Sequence, residues 1–133
     1  MIKKQFTIYL ENRPGRLARL TRLLAKEKVN IEGLSVMDGT DVGLVQLVAS
    51  HAARTRALLK ANKLAFSEQD VYLISLKNEP GALSQVVSKL GLAKVNINYV
   101  YATACNCKDR GCKSNAIISA PDLKALDKVC KSL

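Results

Sequence analysis

The positions of hydrophobic and polar residues predict strands and helices that follow one another in a regular order. Short runs rich in β-branched and aromatic residues, bounded by turn residues, indicate strands, and leucines at three- and four-residue steps indicate helices. In the first half the predicted order is strand Phe6–Leu10, a helix that begins at Pro14, strands Ile31–Met37 and Val42–Ala49, helix Ala52–Ala61 and an extended segment Leu64–Ser67.

The second half repeats this order. Its predicted elements are strand Val71–Leu76, helix Pro80–Leu92, strands Ile97–Thr103 and Asn115–Ser119, and helix Pro121–Lys131. Each half therefore has the split βαβ order of the ferredoxin-like fold, and the predicted fold class is α+β. No strand is predicted after the last helix, so the second unit lacks its last edge strand. Because an open sheet edge invites pairing, either the N-terminal segment Ile2–Gln5 or another chain is expected to cover it.

A sequence repeat supports two units. Residues 10–17, Leu-Glu-Asn-Arg-Pro-Gly-Arg-Leu, return at 76–83 as Leu-Lys-Asn-Glu-Pro-Gly-Ala-Leu, and Val-Asn-Ile occurs at both 29–31 and 95–97. Both pairs are offset by 66 positions (78 − 12 and 96 − 30). A constant offset across separate motifs indicates one supersecondary unit used twice. We therefore predict two domains, residues 1–67 and 68–133, each near the lower size limit for independent folding.

The repeated motif resembles that of a known family. A strand that ends in Asn-Arg-Pro-Gly-x-Leu, then a helix, then Val-Asn-Ile at the start of a strand is similar to the ACT domain family of small-molecule-binding regulatory modules. The resemblance covers both halves and implies βαββαβ units that pair side by side and bind amino acids at the interfaces between units. It implies two pseudo-equivalent sites, in which Asn12 acts with Asn96, and Asn78 with Asn30. The expected ligand-binding residues are Asn12, Arg13, Pro14, Gly15, Asn30, Ile31, Asn78, Glu79, Pro80, Gly81, Asn96 and Ile97.

The resemblance also bears on the ligand and the partners. Serine-binding relatives carry histidine two residues before the motif asparagine, whereas this chain has Leu10 and Leu76 there. Serine is therefore not the expected ligand. We expect either a more apolar ligand or no ligand. No catalytic domain is attached and the single His51 stands in no catalytic motif, so an enzyme is not expected. The prediction is a stand-alone homodimeric regulatory module for a free amino acid or similar small carboxylate, with a metabolic enzyme or another regulator as its partner.

Elementary chemistry favours a ligand at the same place. A helix N-terminus presents unpaired N–H groups and a partial positive charge, which suit a carboxylate. Gly15 and Gly81 have no Cβ to keep a ligand from the backbone, and Asn12 and Asn78 each offer donors and an acceptor. The alternative is structural, because asparagine and glycine are common turn residues and Pro-Gly also begins helices. The repetition favours binding, although degenerate sites would leave only an association module.

Four cysteines suggest a second kind of site. Cys105, Cys107 and Cys112 lie in residues inserted into the second hairpin, and Cys130 lies near the end of the last helix. In the family topology, the second hairpin and the end of the last helix lie at one end of the unit, and His51 lies at the other end. Four thiolates would suit a soft metal such as zinc, although paired Cys-x2-Cys knuckles are missing. Free thiols or a disulfide are the alternatives, so a metal- or redox-sensing adaptor is a competing function.

The charge suggests the other competing function. The net charge is +10, and residues 1–66 carry 12 basic and 5 acidic side chains against 9 and 6 in residues 67–133. Such a field attracts anions of any class, including nucleic acid and acidic proteins, so a basic adaptor is an alternative. The stripe Arg16, Arg19, Arg22 and Lys26 is most simply a solvated helix face, and without an accompanying motif nucleic acid is not the expected partner. Neither a membrane span nor a signal peptide is recognisable, so a cytoplasmic protein is expected.

Overall fold

The structure, a computed structural model, describes residues 1–103 and 111–133. Strands and helices follow one another in the predicted order. In chain order they are β1 Ile2–Glu11, α1 Arg16–Lys26, β2 Ile31–Met37, β3 Val42–Ala49, α2 Ala52–Ala61, β4 Ala65–Lys77, α3 Ala82–Leu92, β5 Tyr99–Ala102, β6 Lys113–Ser119 and α4 Leu123–Lys131. The predicted α+β fold class is therefore confirmed.

The chain forms two compact units, Lys4–Gln69, which we call the first unit, and Met1–Lys3 with Asp70–Leu133, the second unit. In the first unit the strand order is β2-β3-β1-β4, and both β1 and β2 pair antiparallel with β3. Its core consists of apolar side chains from the sheet and from both helices. The largest fully buried ones are Phe6, Ile8, Leu20, Leu24, Leu47 and Leu59. Burial of each such side chain stabilises the unit by roughly 1.5–3 kcal/mol.

In the second unit the strand order is β1-β4-β6-β5, and β1 contributes only Met1–Lys3. The Leu73 N–H donates to the Met1 carbonyl at 2.8 Å, and the Met1 amino group donates to the Leu73 carbonyl at 3.0 Å. The N-terminal residues therefore take the place of the missing last strand, which is one of the two alternatives that the sequence left open. Leu90, Ile118 and Leu126 are fully buried at the centre of this unit.

Two strand predictions are corrected. Leu64–Ser67 and Val71–Leu76 were predicted separately, but the single strand β4 Ala65–Lys77 spans both of them except Leu64. The polar residues Glu68–Asp70 between them are exposed, and exposed polar side chains do not interrupt backbone pairing. Strand β5 begins at Tyr99 rather than Ile97, because pairing with β6 starts only where the Asn98 N–H donates to the Ser119 carbonyl at 2.8 Å.

Three helices begin two residues later than predicted. Pro14 and Pro80 were expected to open helices, but α1 and α3 begin at Arg16 and Ala82, after a glycine. Helix α4 begins at Leu123 instead of Pro121, because the Asp122 carboxylate accepts from the Ala125 N–H at 2.9 Å and so caps the helix.

Three helices end in the same way, with a lysine in the left-handed conformation. Lys28, Lys63 and Lys94 follow α1, α2 and α3 with φ of 56°, 53° and 56°. After α2, the Lys63 N–H donates to the Lys60 carbonyl at 3.1 Å and the Leu64 N–H donates to the Leu59 carbonyl at 3.0 Å. This is the Schellman motif, whose left-handed position is usually glycine.

Within the described residues, every helix is too short or too polar to cross a lipid bilayer.

Candidate ligand site at the first Pro-Gly turn

The two Pro-Gly motifs have the same backbone geometry. Gly15 has φ 87° and ψ −12°, and Gly81 has φ 89° and ψ −11°. The Arg16 N–H donates to the Arg13 carbonyl, and the Ala82 N–H to the Glu79 carbonyl, both at 3.3 Å. These features match a type II turn, in which proline fixes the second residue and glycine supplies the positive φ of the third. Pro14 and Pro80 therefore shape the turn before the helix rather than the first helical turn.

A Cβ at Gly15 or Gly81 would meet no atom within 4 Å. Glycine is thus required there by conformation, and the space beside it is open to a ligand.

The motif asparagine joins each turn to the neighbouring hairpin. The Asn12 N–H donates to the Asp41 carbonyl at 2.9 Å, and the Asn78 N–H donates to the Cys112 carbonyl at 3.2 Å. In the first unit the helix start and the β2–β3 hairpin therefore lie at one end.

The Asn12 side chain strengthens this connection. Its amide nitrogen donates to an Asp38 carboxylate oxygen at 3.1 Å and to the Gly39 carbonyl at 2.7 Å. The sequence predicted that this side chain would orient a ligand, but in the structure its donors hold the hairpin. Because its amide nitrogen is engaged, Asn12 would contact a ligand through its amide oxygen.

A cavity of about 250 Å³ lies beside this connection, wholly within the first unit. It is bounded by the end of β1, the turn, the start of α1 and the β2–β3 hairpin. Its lining combines charged or polar side chains with apolar ones. The lining residues are Leu10, Glu11, Asn12, Arg13, Arg16, Leu17, Val36, Met37, Asp38, Gly43 and Val45. Its volume is just below the range of about 300–1,000 Å³ typical of sites for drug-sized ligands, which suits a smaller molecule.

The charges of the cavity are balanced. The Glu11 carboxylate oxygen Oε2 lies 3.3 Å from Arg13 Nε and 3.2 Å from Arg16 Nη2. Asp38 is the second carboxylate, so two guanidinium groups face two carboxylates. A zwitterion, which carries one charge of each sign, is better matched to such a lining than a simple anion.

The start of α1 adds a weak attraction for a carboxylate. Gly15 offers no side-chain cap and the first turn has no acidic residue, so the first helical N–H groups are unpaired by any side chain. Helix α2, which begins after His51, also lacks such a cap. An uncapped start is therefore not by itself the mark of a site, and the cavity is the stronger observation.

The second predicted element of each site lies elsewhere in its own unit. The Asn30 N–H donates to Ser50 Oγ, and the Ser50 N–H to the Asn30 carbonyl, both at 2.9 Å. Glu11 and Ile31 pair with opposite ends of β3, and Asn12 and Asn30 each lie one residue further out, so they are about 30 Å apart along the sheet. Ile31 and Ile97 pack against the cores of their own units, and Asn96 is exposed. Joint action of Asn12 with Asn96, and of Asn78 with Asn30, stays a prediction.

The second motif is described only in part. Asn78, Glu79, Pro80 and Gly81 form the turn described above and are exposed. Residues 104–110 of the adjoining hairpin lie outside the described residues, so the predicted second site is not described as a cavity.

The cysteine site predicted from sequence falls partly on the same segment. Cys105 and Cys107 lie outside the described residues, Cys112 is disulfide-bonded, and Cys130 is free and half-buried. Burial raises the pKa of the Cys130 thiol, which disfavours the thiolate that binds metals. Among residues 1–103 and 111–133, no group of three or more histidine, cysteine, aspartate or glutamate side chains could hold a metal ion. Zinc binding stays a prediction.

Sequence reasoning missed several lining residues. Asp38 was not proposed as a site residue, Arg16 was assigned to a solvated helix face, Leu17 was named only as part of the repeated motif and the predicted helix, and Val36 and Met37 only as part of a strand. Arg16 and Leu17 follow the Pro-Gly turn directly, so the motif itself could have indicated them. Asp38 becomes part of the site because its carboxylate accepts a hydrogen bond from Asn12. No local sequence signal indicates this contact.

Comparison with known proteins supports one family. The sequence model of the ACT domain pair family matches residues 1–111. Protein BT0572 from Bacteroides thetaiotaomicron is 34% identical in sequence with a TM-score of 0.86, over 99% of this chain and 88% of that chain. No curated protein sequence matches significantly.

More distant structures share the fold. The ligand-free regulatory subunit of aspartate kinase from Thermus thermophilus is 12% identical with a TM-score of 0.66, over 98% of this chain and 91% of that chain. The corresponding subunit from Thermus flavus is 12% identical with a TM-score of 0.61, over the same shares of 98% and 91%.

Proposed function

Because the chain belongs to the family of ACT domain pairs, we propose that it is a regulatory module that binds a free amino acid at the first Pro-Gly turn. The observation that carries this proposal is the open cavity of about 250 Å³ that is bounded by the turn, α1 and the β2–β3 hairpin. Its lining provides both charges of a zwitterion together with an apolar wall. The proposed role is regulatory rather than catalytic.

The proposed ligand is an amino acid with an apolar side chain. Arg13 and Arg16 would attract its carboxylate, assisted by the open start of α1. Asp38 and Glu11 would attract its ammonium group. Leu17, Val36 and Met37 are 36%, 51% and 45% exposed, so an apolar side chain that covers them would remove apolar surface from water.

The proposed partner is a separate metabolic enzyme or another regulator. The regulatory subunits of aspartate kinase share the fold of this chain. By analogy, ligand binding would act on a protein outside this chain. We also propose that the protein is a homodimer, in which units pair side by side as the resemblance implies for ACT units.

A thermal-shift screen of the common amino acids tests the proposal. A ligand at 100 times its dissociation constant stabilises the folded state by roughly 2.7 kcal/mol. We expect an apolar amino acid to raise the melting temperature in a way that survives moderate salt. If no amino acid does so, but an acidic polymer stabilises the protein in a salt-sensitive way, the protein is a basic adaptor instead.

The repeat supplies a matched control for this screen. Leu17 and Leu83 occupy the same motif position and are 36% and 37% exposed, but Leu17 lines the described cavity. Leu17→Gln should abolish the thermal shift and Leu83→Gln should preserve it. The reverse result would place the ligand at the second turn.

A second candidate function concerns the cysteines. Cys112 is disulfide-bonded, and its carbonyl accepts from the Asn78 N–H of the second motif. A redox change at Cys112 would therefore act next to the second turn, and zinc binding by Cys105, Cys107, Cys112 and Cys130 would require the same thiols to be reduced. Metal analysis of protein purified under reducing conditions, together with oxidised and reduced peptide masses, distinguishes the two. Stoichiometric zinc supports the metal site, and a disulfide mass without zinc supports the redox role.

A further inference from the structure

A second cavity, of about 220 Å³, lies in the first unit where β1 ends, α1 begins and β4 begins. We call it the Lys63 cavity. Three cationic side chains line it, together with one carboxylate and a small apolar floor. The lining residues are Tyr9, Leu10, Glu11, Arg16, Arg19, Leu20, Leu23, Lys63, Leu64 and Ala65.

The charges of the Lys63 cavity are not balanced. The lining holds three cations, Arg16, Arg19 and Lys63, and one carboxylate, Glu11. The cavity therefore has an excess of two positive charges. Glu11 is engaged by Arg16 and Arg13. Arg19 donates only a long hydrogen bond of 3.5 Å to the Asn62 amide oxygen. In the described part of the chain, neither Arg19 nor Lys63 forms an ion pair.

The repeat shows that Arg16 and Arg19 are particular to the first unit, although Lys77 stands where Glu11 stands. At an offset of 66 residues, Ala82 and Gln85 stand where Arg16 and Arg19 stand in the first unit. The fold therefore does not require cations at these positions, since the second unit forms the same turn and helix without them. The left-handed backbone conformation of Lys63 does not indicate a site, because Lys28 and Lys94 have the same conformation.

We propose that the Lys63 cavity binds a small anion with two negative charges, either a phosphate group or a dicarboxylate. Such an anion would neutralise the two excess charges. Arg19 and Lys63 would donate charge-assisted hydrogen bonds to its oxygens, and Tyr9, which lines the cavity, would offer its hydroxyl as a further donor. This site is separate from the proposed amino-acid site, although Leu10, Glu11 and Arg16 line both cavities.

The left-handed lysines allow a test that does not confuse binding with stability. Lys63→Gly removes a cation from the cavity and places glycine where the Schellman motif favours it, so the folded protein should be at least as stable as the parent. Lys28→Gly makes the same change in charge and backbone after α1, outside both cavities. Arg19→Gln and Arg22→Gln form a second matched pair on α1, because Arg22 is exposed and does not line the Lys63 cavity.

Isothermal titration with inorganic phosphate and with succinate, at constant ionic strength, is the experiment. We expect at least one of the two dianions to bind, and Lys63→Gly or Arg19→Gln to weaken that binding about tenfold, as for the loss of one charge-assisted contact. Lys28→Gly and Arg22→Gln should change it less than about twofold, because surface charges outside the cavity are screened. Preference for phosphate or for succinate assigns the ligand class.

The proposal is overturned if neither dianion binds, or if Lys28→Gly weakens binding as much as Lys63→Gly. Because the probes are not amino acids, failure here leaves the proposed amino-acid site untouched.

Discussion

Glu11 and Arg16 form an ion pair, 3.2 Å between Oε2 and Nη2, that belongs to the walls of both cavities in the first unit. Arg16 and Glu11 line both cavities, and Glu11 reduces the positive charge of each. A ligand bound in one cavity would therefore lie beside the ion pair that also borders the other.

The first prediction concerns this carboxylate. Glu11→Gln should strengthen binding of phosphate or succinate in the Lys63 cavity severalfold, because it removes the single negative charge there. The same change should weaken amino-acid binding, because a partner of the ammonium group is lost. Titration calorimetry with both kinds of ligand measures the two effects.

Glu79→Gln is the control for this prediction, since Glu79 is exposed in the second unit, two residues before Gly81. It should leave both affinities unchanged. If Glu11→Gln and Glu79→Gln shift the two affinities in the same way, the ion pair has no special role.

The second prediction concerns the turn glycines. Gly15→Ala and Gly81→Ala should each lower the free energy of unfolding by about 1 kcal/mol, because an L-residue is strained at their positive φ. The cost is purely conformational, since no neighbouring atom obstructs a Cβ. Gly91→Ala, within α3, should instead stabilise by about 0.5–1 kcal/mol. Urea denaturation of the three variants checks this contrast, and a loss at Gly91 equal to that at Gly15 would refute it.

The third prediction concerns the N-terminal strand. Removal of Met1–Lys3, by cleavage of a fusion before Lys4, should destabilise the second unit by about 2 kcal/mol. Two backbone hydrogen bonds between Met1 and Leu73 are lost, at about 1 kcal/mol each. The uncovered edge of β4 should also promote self-association, which light scattering would detect. Unchanged stability and mass, relative to a fusion cleaved before Met1, would contradict the role of this segment.

The fourth prediction concerns pH. Arg56 donates to the two carboxylate oxygens of Glu68 at 3.1 and 2.9 Å from Nε and at 2.6 Å from Nη2. These hydrogen bonds lower the pKa of Glu68 below its ordinary value. The stabilisation is therefore complete above the unfolded pKa of about 4.3 and is lost as the pH falls through the folded pKa.

At neutral pH the free energy of unfolding should accordingly be larger for the parent than for the Glu68→Gln variant. The difference should shrink as the pH falls toward about 3. Arg56→Gln should show the same pH dependence. Denaturation curves at several pH values measure the difference, and a difference that stays constant down to about pH 3 would rule the ion pair out as its source.

The sequence predicted most of the fold because hydrophobic periodicity and the repeat are local signals. Strands β2 and β3 and helix α2 have the predicted bounds. The continuous strand β4 was missed because Glu68–Asp70 look like a break, and only pairing shows otherwise. That Met1–Lys3, rather than another chain, covers the edge of β4 is a long-range contact that no periodicity encodes. The sequence predicted a homodimer if this edge were left open within the chain, so that argument is removed, and the dimer stays an untested prediction.

The candidate site was predictable only in its position. The Pro-Gly motif indicated where α1 begins, and the structure places a cavity there. The bonds from Asn12 to Asp38 and Gly39, and the sharing of Arg16 between two cavities, depend on how the β2–β3 hairpin meets β1 and α1. Such contacts join residues distant in sequence, and one sequence gives no signal for them.

The central claim is that the first Pro-Gly turn holds an amino acid, and backbone-amide NMR of the isotope-labelled protein tests it most directly. Titration with apolar amino acids should shift the amide signals of the non-proline residues within 10–17 and 36–43, which contain most of the cavity lining. The signals around Lys63 should move much less. The claim is contradicted if no amino acid shifts these signals at millimolar concentration, or if the shifts occur only at other residues.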